Sequence, residues 1–255
     1  HYSAACHRSA ACHRAGADRL MSRARFQAVL FDFFGTLVDS LSASAHNDAV
    51  RAMGGLMGAP EEAFLEQWLS DYDARGSGRW PTVEDCVIHT CEAIGVTPDR
   101  ARAAEAARIR IEFIRQGLVL RPDARATLEA IKARGLKTGL ITDCPPELPA
   151  LWPALGLEPL IDAPVFSCTA KVRKPDPRIY RMACGRLGVP PDACLFVGDG
   201  GSRELSGAEA AGMTAVCIRA ASEDGYDPHR VDPETWHGPL IAALGEILPL
   251  LDGPM

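Results

Sequence analysis

Residues 28–34 read Ala-Val-Leu-Phe-Asp-Phe-Phe, and Gly35 follows them. This run is apolar at successive positions, so both faces of the segment are expected to be buried. Strands that are covered on both faces are typical of parallel sheets, where helices lie on each side. The only polar residue of the run is Asp32, near its end. The stretch therefore predicts a central strand of an α/β sheet that ends at a carboxylate.

Four later apolar segments have the same character, and helical patterns alternate with them. Each helical pattern stops at a glycine, which commonly follows the last turn of a helix. Strands that alternate with helices predict a doubly wound parallel sheet with its active site at the carboxyl ends of the strands. The predicted later strands are 137–142, 161–168, 194–198 and 214–218, and the predicted helices are 123–134, 147–155, 177–187 and 204–211.

One long segment, residues 39–118, breaks this alternation because it shows helical patterns only. An all-helical insertion after the first strand is the economical interpretation. The catalytic core would then be formed by residues 21–38 and 119–255, with residues 39–118 as a separate helical domain.

Arginines of this insertion could face an anionic substrate. Arg102, Arg108 and Arg110 follow one another closely, but Glu105 and Glu112 alternate with them. Such a mixture of charges predicts a solvated helix face instead.

The first twenty residues differ from the rest of the chain. The hexamer SAACHR occupies residues 3–8 and again residues 9–14. Thiolate and imidazole are the usual ligands of zinc, so the repeated Cys-His pair could hold a metal. A repeated hexamer without apolar periodicity is better explained as a disordered or tag-like extension. We therefore expect residues 1–20 to lie outside the fold, with the folded chain beginning at Met21.

Composition narrows the range of functions. The 255 residues carry a net charge of −6, and 47% of them are hydrophobic. An acidic globular chain lacks the basic surface that nucleic-acid binding needs, and no apolar run approaches the length of a membrane span. The nine cysteines include no C-x-x-C pair, which suits a reducing cytoplasm. The expected partner is a small anionic substrate, and the expected state is a monomer or a homodimer.

Polar residues that can carry chemistry occur near the ends of the predicted strands. Asp32 closes the first strand, Thr142 the second and Asp199 the fourth, while Lys174 opens a helix. A carboxylate at the end of an apolar strand is costly unless it has a partner. Because the carboxyl ends of parallel strands share one edge of the sheet, these side chains are expected to converge.

In order, the motifs D-F-F-G-T-L, L-I-T-D, R-K-P-D-P and V-G-D-G-G-S-R-E resemble those of the haloacid dehalogenase superfamily. The resemblance extends from Phe26 to the C-terminus. It implies a Rossmann-like doubly wound sheet and identifies residues 39–118 as an inserted, all-helical C1 cap domain. It also implies a hydrolase that uses an aspartate nucleophile.

The resemblance assigns roles to individual residues. Asp32 is the nucleophile that forms a covalent intermediate, and Lys174 is a fixed positive charge beside it. Mg²⁺ is the implied cofactor, since it takes carboxylate oxygens. The implied catalytic residues are Asp32, Thr142 and Lys174. The implied substrate-binding residues are Gly35, Thr36, Thr142, Asp143 and Lys174. The implied metal ligands are Asp32, the main-chain carbonyl of Phe34, Asp199 and Glu204.

Two positions depart from the pattern of the superfamily's phosphatases. Phe34 stands where they usually carry a second aspartate, which serves as general acid and then as base. Phenylalanine cannot transfer a proton, so a contribution of roughly 10²–10⁴ in rate is absent or unnecessary here. In the last motif the acidic residue is Glu204, five positions after Asp199, and Arg203 occupies the alternative position.

These departures leave three interpretations. A Mg²⁺-dependent phosphatase for a small metabolite is favoured, because Asp199 is retained. A metal-independent 2-haloacid dehalogenase is the alternative, since an aromatic residue at position 34 suits a halide leaving group. A catalytically impaired paralogue that binds a ligand or a protein partner is the third.

Overall fold

Six parallel strands form one sheet in the computed structural model, which describes residues 26–219 and 236–252. The strands lie in the order β3-β2-β1-β4-β5-β6, so β1 is central. Ala28 of β1 pairs with Lys137 of β2 on one side and with Cys194 of β4 on the other. The strands are β1 Ala28–Phe31, β2 Lys137–Thr142, β3 Ala163–Phe166, β4 Cys194–Gly198, β5 Thr214–Ile218 and β6 Leu240–Ile241.

The predicted α/β fold is confirmed, and the bounds of β2, β4 and β5 match the sequence prediction. The predicted strand 161–168 is shorter in the structure, because a helical turn begins at Ser167 directly after β3. The sequence did not predict β6, whose two residues are too few to show a pattern.

Helices cover both faces of the sheet. On one face Leu128 and Ile131, of the helix Ala124–Ala133, join a cluster with Phe31 of β1. On the other face Ile179 and Tyr180, of the helix Pro177–Leu187, pack with strand residues. The helix before β2 is α6 Ala124–Ala133. The later helices are α7 Glu147–Leu151 after β2, α8 Ser167–Ala170 and α9 Pro177–Leu187 after β3, α10 Glu204–Ala210 after β4, and α11 Leu248–Leu251 after β6. Short 3₁₀ helices occupy Trp152–Leu155, Pro191–Ala193, Gly201–Arg203 and Leu244–Ile247.

The chain between β1 and β2 begins with helices that share their own apolar core. Phe64 and Trp68 are fully buried at its centre, and their rings stack with centroids 6.2 Å apart. The helices are α1 Ala43–Leu56, α2 Glu61–Ser70, α3 Tyr72–Gly76, α4 Val83–Ala93 and α5 Arg100–Gly117. This segment is helical throughout its regular structure, as the sequence predicts for residues 39–118.

The expectation of a tag-like extension over residues 1–20, followed by a start of the fold at Met21, falls outside the described residues. Among the residues that are described, none of the helices has the length and apolar character needed to cross a bilayer.

Candidate active site

Asp32 is the first residue after β1, at the carboxyl edge of the sheet. Its main-chain N–H donates to the Val197 carbonyl of β4 at 2.9 Å, so Asp32 lies at the boundary between β1 and β4. At this boundary the strand order changes direction, since β2 and β3 lie on one side of β1 and β4 to β6 lie on the other. In open α/β sheets, ligands bind in the crevice at this point. The turn that follows is tight, because three successive N–H groups, those of residues 36–38, donate to the Phe33 carbonyl. Gly35 allows this turn with a φ of +78°.

Lys174 lies beside Asp32. Its Nζ donates to Oδ1 of Asp32 at 2.6 Å and also to Oε2 of Glu204. The main-chain N–H of Lys174 donates to Oδ1 of Asp143 at 3.0 Å, which fixes the backbone from which the side chain extends. The expectation that Lys174 opens a helix is wrong: α9 begins at Pro177, and Asp176 caps it through a hydrogen bond to the Arg178 N–H.

The loop after β4 brings Glu204 back toward the strand end. Ser202 and Arg203 adopt φ values of +57° and +55°, which side-chain-bearing residues seldom do. Through this turn Oε1 of Glu204 accepts a hydrogen bond from the Gly200 N–H at 2.9 Å. Oδ1 of Asp199 accepts from the Gly201 N–H, also at 2.9 Å. The loop thus places two carboxylates at the edge where Asp32 lies.

Asp32, Asp199 and Glu204 each offer an oxygen, and these three atoms lie within 4.8 Å of one another. Burial raises the pKa of Asp32 to about 6; the Lys174 ammonium opposes this shift, and the Asp199 charge adds to it. Burial and the Asp32 charge also hold the pKa of Glu204 well above its usual range. Three carboxylates face one ammonium here, so the cluster favours a further positive charge.

The cluster opens into a cavity of about 440 Å³, a volume that suits a small ligand. Part of its lining comes from the helices between β1 and β2. The predicted residues that line it are Asp32, Phe34, Asp143, Lys174, Asp199 and Glu204, and other lining residues include His46, Tyr72, Arg75 and Arg110.

Comparison with known proteins decides the family. Residues 26–212 match the family model described as haloacid dehalogenase-like hydrolase. The chain belongs to the haloacid dehalogenase-like hydrolases.

Its relatives in this hydrolase family include both phosphatases and dehalogenases. A glyceraldehyde 3-phosphate phosphatase from Methanopyrus kandleri is 30% identical over 81% of this chain and 89% of its own length. An (S)-2-haloacid dehalogenase 4A from Burkholderia cepacia is 28% identical over 88% of this chain and 94% of its own. The structure of a haloacid dehalogenase family phosphatase from Thermococcus onnurineus shares the fold, with a TM-score of 0.62 at 24% identity over 89% of this chain and 99% of that one.

Three residues that the family resemblance assigned to substrate binding are buried but do not line the cavity. Oγ1 of Thr36 lies 3.5 Å from Oδ2 of Asp32 and donates to it. The Gly35 carbonyl accepts a hydrogen bond from Nη2 of the buried Arg121 at 2.6 Å. Thr142 ends β2, and its Oγ1 has no hydrogen-bond partner among the described residues. The structure therefore brings Thr36 into contact with Asp32, whereas the hydroxyl of Thr142 is buried away from the cavity.

The predicted solvated arginine face is confirmed for Arg102 and Arg108, which are exposed, and is wrong for Arg110. Arg110 is buried and forms an ion pair with Glu147, with Nε and Oε1 2.6 Å apart. The helical spacing of the sequence could have predicted that Arg110 is buried, because Arg110 falls on the buried stripe of α5. That stripe consists of Ala103, Ala106, Ala107, Arg110 and Ile114.

Proposed function

We propose that this hydrolase is a Mg²⁺-dependent phosphatase that acts on a small phosphorylated metabolite, with Asp32 as the nucleophile. The observation that carries the proposal is the cluster of Asp32, Asp199 and Glu204 in the cavity. Three buried carboxylates at such close range repel one another, and a bound cation would relieve that repulsion.

The donor set fits the cofactor. Carboxylate oxygens are the ligands that Mg²⁺ prefers, and two positive charges would offset the excess negative charge of the cluster. Asp32, Asp199 and the Phe34 carbonyl would hold the ion directly, with Glu204 as the third carboxylate. When bound, Mg²⁺ would supply positive charge to the phosphate oxygens and reduce their repulsion from Asp32.

The reaction is a double displacement. A carboxylate oxygen of Asp32 attacks phosphorus and forms an acyl phosphate, while the bond to the leaving oxygen breaks and the electron pair departs with it. Water then attacks the phosphorus of this intermediate, which releases inorganic phosphate and restores Asp32. Asp32 must be ionised for the first step, and the Lys174 ammonium 2.6 Å away favours that form.

Lys174 keeps its charge in the site. Burial alone would lower the pKa of its ammonium, but the carboxylates of Asp32 and Glu204 outweigh burial and hold that pKa well above its ordinary value. Lys174 would therefore stabilise negative charge on the transferring phosphoryl group. Asp143 would act as a positioning residue, because it holds the main chain of Lys174.

The wall of the cavity beside Asp32 is aromatic. Phe34 lines it, and its ring meets that of Phe33 edge to face at 5.1 Å. No proton can come from this position, so the preferred substrate would have a good leaving group or its own proton donor. The helices of residues 39–118 would act as the cap that selects this substrate.

The same Phe34 favours a second candidate, a 2-haloacid dehalogenase. A halide leaves without a proton, so an aromatic residue near the nucleophile is no disadvantage. In that reaction Asp32 would attack carbon and displace the halide, and water would hydrolyse the resulting ester. One relative carries the name of a dehalogenase.

Chelation separates the two candidates. The protein is treated with EDTA and assayed with p-nitrophenyl phosphate and with 2-chloropropionate, before and after excess Mg²⁺ is restored. We expect phosphate release only with Mg²⁺ and no chloride release. Chloride release in EDTA, without phosphate release in either condition, would replace the phosphatase by the dehalogenase.

A further inference from the structure

Two buried arginines line the cavity that contains Asp32 and Lys174. Arg75 of α3 is 2% exposed and Arg110 of α5 is 5% exposed. Arginine is rarely buried unless it is paired, because removing its charge from water is costly. The contacts of both side chains therefore indicate what they bind.

The described residues leave this arginine pair with incomplete partners. Nε of Arg110 pairs with Glu147, but its Nη1 is buried without a hydrogen-bond partner. Nη1 of Arg75 donates to the Trp68 carbonyl, and its guanidinium lies 4.1 Å from the centroid of the Trp68 ring. Nε of Arg75 is also buried without a partner. Of the two guanidinium groups, only that of Arg110 therefore forms an ion pair with a carboxylate of the described residues.

The charges of the titratable groups around Arg75 and Arg110 agree with these contacts. Burial and the charge of Arg110 lower the pKa of Arg75 to about 10, so Arg75 is still cationic at neutral pH. His46 lines the same cavity, and burial together with Arg110 lowers its pKa to about 4. The imidazole is neutral and offers no charge of its own. Around the two arginines, Glu147 balances one of the two positive charges, and the guanidinium of Arg75 forms no ion pair with a carboxylate of the described residues.

Both arginines are held in place by elements of the sheet domain. Oγ of Ser167 donates to the carbonyl of Gly76, the residue after Arg75, at 2.6 Å. Glu147, the partner of Arg110, begins α7. Guanidinium groups fixed in this way present planar donors that match a carboxylate.

We propose that Arg75 and Arg110 bind a carboxylate of the substrate, so that this enzyme hydrolyses a small phosphate monoester that also carries a carboxylate. The proposal rests on the function proposed above and narrows its substrate class. A carboxylate suits the subsite better than a second phosphate, because a single negative charge balances the single unpaired positive charge. The phosphoryl group occupies the other part of the cavity, at Asp32 and Lys174.

Phosphoglycolate and isobutyl phosphate provide the test, because the first carries a carboxylate on its CH2 group and the second carries an uncharged isopropyl group of similar size there. Binding is measured by calorimetry on the Asp32→Asn protein with Mg²⁺, and turnover is measured on the unmodified enzyme. We expect phosphoglycolate to bind about ten- to hundredfold more tightly, the range of charge-assisted hydrogen bonds.

Arg75→Gln, introduced into the Asp32→Asn protein, should reduce this preference to a few-fold or less by weakening phosphoglycolate binding. Arg102→Gln removes an exposed arginine of α5 and should leave the preference intact. If Arg75→Gln does not fold, the preference of the Asp32→Asn protein for the carboxylated ester decides the question alone.

The outcomes distinguish the two proposals. Equal binding of both esters, or a preference that Arg75→Gln does not change, overturns the carboxylate subsite even if the enzyme hydrolyses phosphate esters. Selective binding of phosphoglycolate without turnover of either ester supports the subsite and counts against the phosphatase.

Discussion

Nζ of Lys174 lies 2.6 Å from Oδ1 of Asp32, although 142 positions separate the two residues. The sheet explains the contact. Asp32 follows β1, and the main chain of Lys174 is held by Asp143, which follows the neighbouring strand β2. A buried carboxylate thereby acquires the partner that keeps it ionised at neutral pH.

Asp32→Asn should abolish turnover and leave the fold intact. The substitution removes the nucleophile's charge with little change in volume, and Lys174 keeps its contact with Glu204. We expect phosphate release to fall by more than about 10³-fold, and the melting temperature to change little. Asp48→Asn, at an exposed position of α1, should leave the rate unchanged. Activity within tenfold of wild type would show that another group attacks.

The buried ion pair between Arg110 and Glu147 predicts a large effect on stability. Glu147→Gln leaves two buried guanidinium groups without a carboxylate, and breaking such a pair typically costs about 3 kcal/mol or more. Urea denaturation at pH 7 measures the change. Glu112→Gln is the matched control, because Glu112 forms an exposed pair with Arg115 on the same helix as Arg110. Equal effects of the two substitutions would mean that burial of the pair has no energetic consequence.

The sequence predicted the elements whose signal is local. Apolar runs such as 194–198 identify their strands directly, and the order of the strand-end motifs indicated that Asp32, Lys174 and Asp199 converge. Partners that depend on the packed structure were not predicted. Arg75 is buried because it stacks on Trp68, and neither residue belongs to a motif.

The position of Lys174 shows a different limit. The R-K-P-D-P motif suggested that Lys174 opens the helix, whereas the helical pattern predicted residues 177–187, which is the observed range with Asp176 as the N-cap. A helix begins where a capping side chain accepts a hydrogen bond from a free N–H group. A motif with several polar residues does not by itself show which of them is the N-cap.

His46 should make the protein less stable in acid. Burial and the nearby Arg110 lower its pKa from 6.5 to about 4 in the folded state. Between these two values the unfolded chain binds a proton that the folded chain does not, so the free energy of unfolding falls as the pH drops from about 6.5 to 4.

The effect is isolated by comparison with His46→Gln. The stability of wild type relative to the variant should decline by about 2–3 kcal/mol between pH 7 and pH 4, as measured by urea denaturation. His237→Gln, at an exposed position, should follow the wild-type pH profile. Parallel profiles for wild type and His46→Gln would show that His46 titrates alike in both states.

Phe34→Asp tests whether the missing carboxylate limits the rate. Phe34 lines the cavity two residues after Asp32, so an acid there could protonate the leaving oxygen. The gain should be largest for isobutyl phosphate, whose leaving group needs a proton, and small for p-nitrophenyl phosphate.

Two costs oppose this gain in rate, the lost contact with Phe33 and a fourth carboxylate near the cluster. Phe34→Ala also loses the contact with Phe33 but adds no carboxylate. The rate of Phe34→Asp is therefore divided by the rate of Phe34→Ala at saturating Mg²⁺ for each ester, and a difference between the two ratios measures proton transfer. An equal ratio for both esters would mean that Phe34 shapes the cavity and does not mark an absent acid.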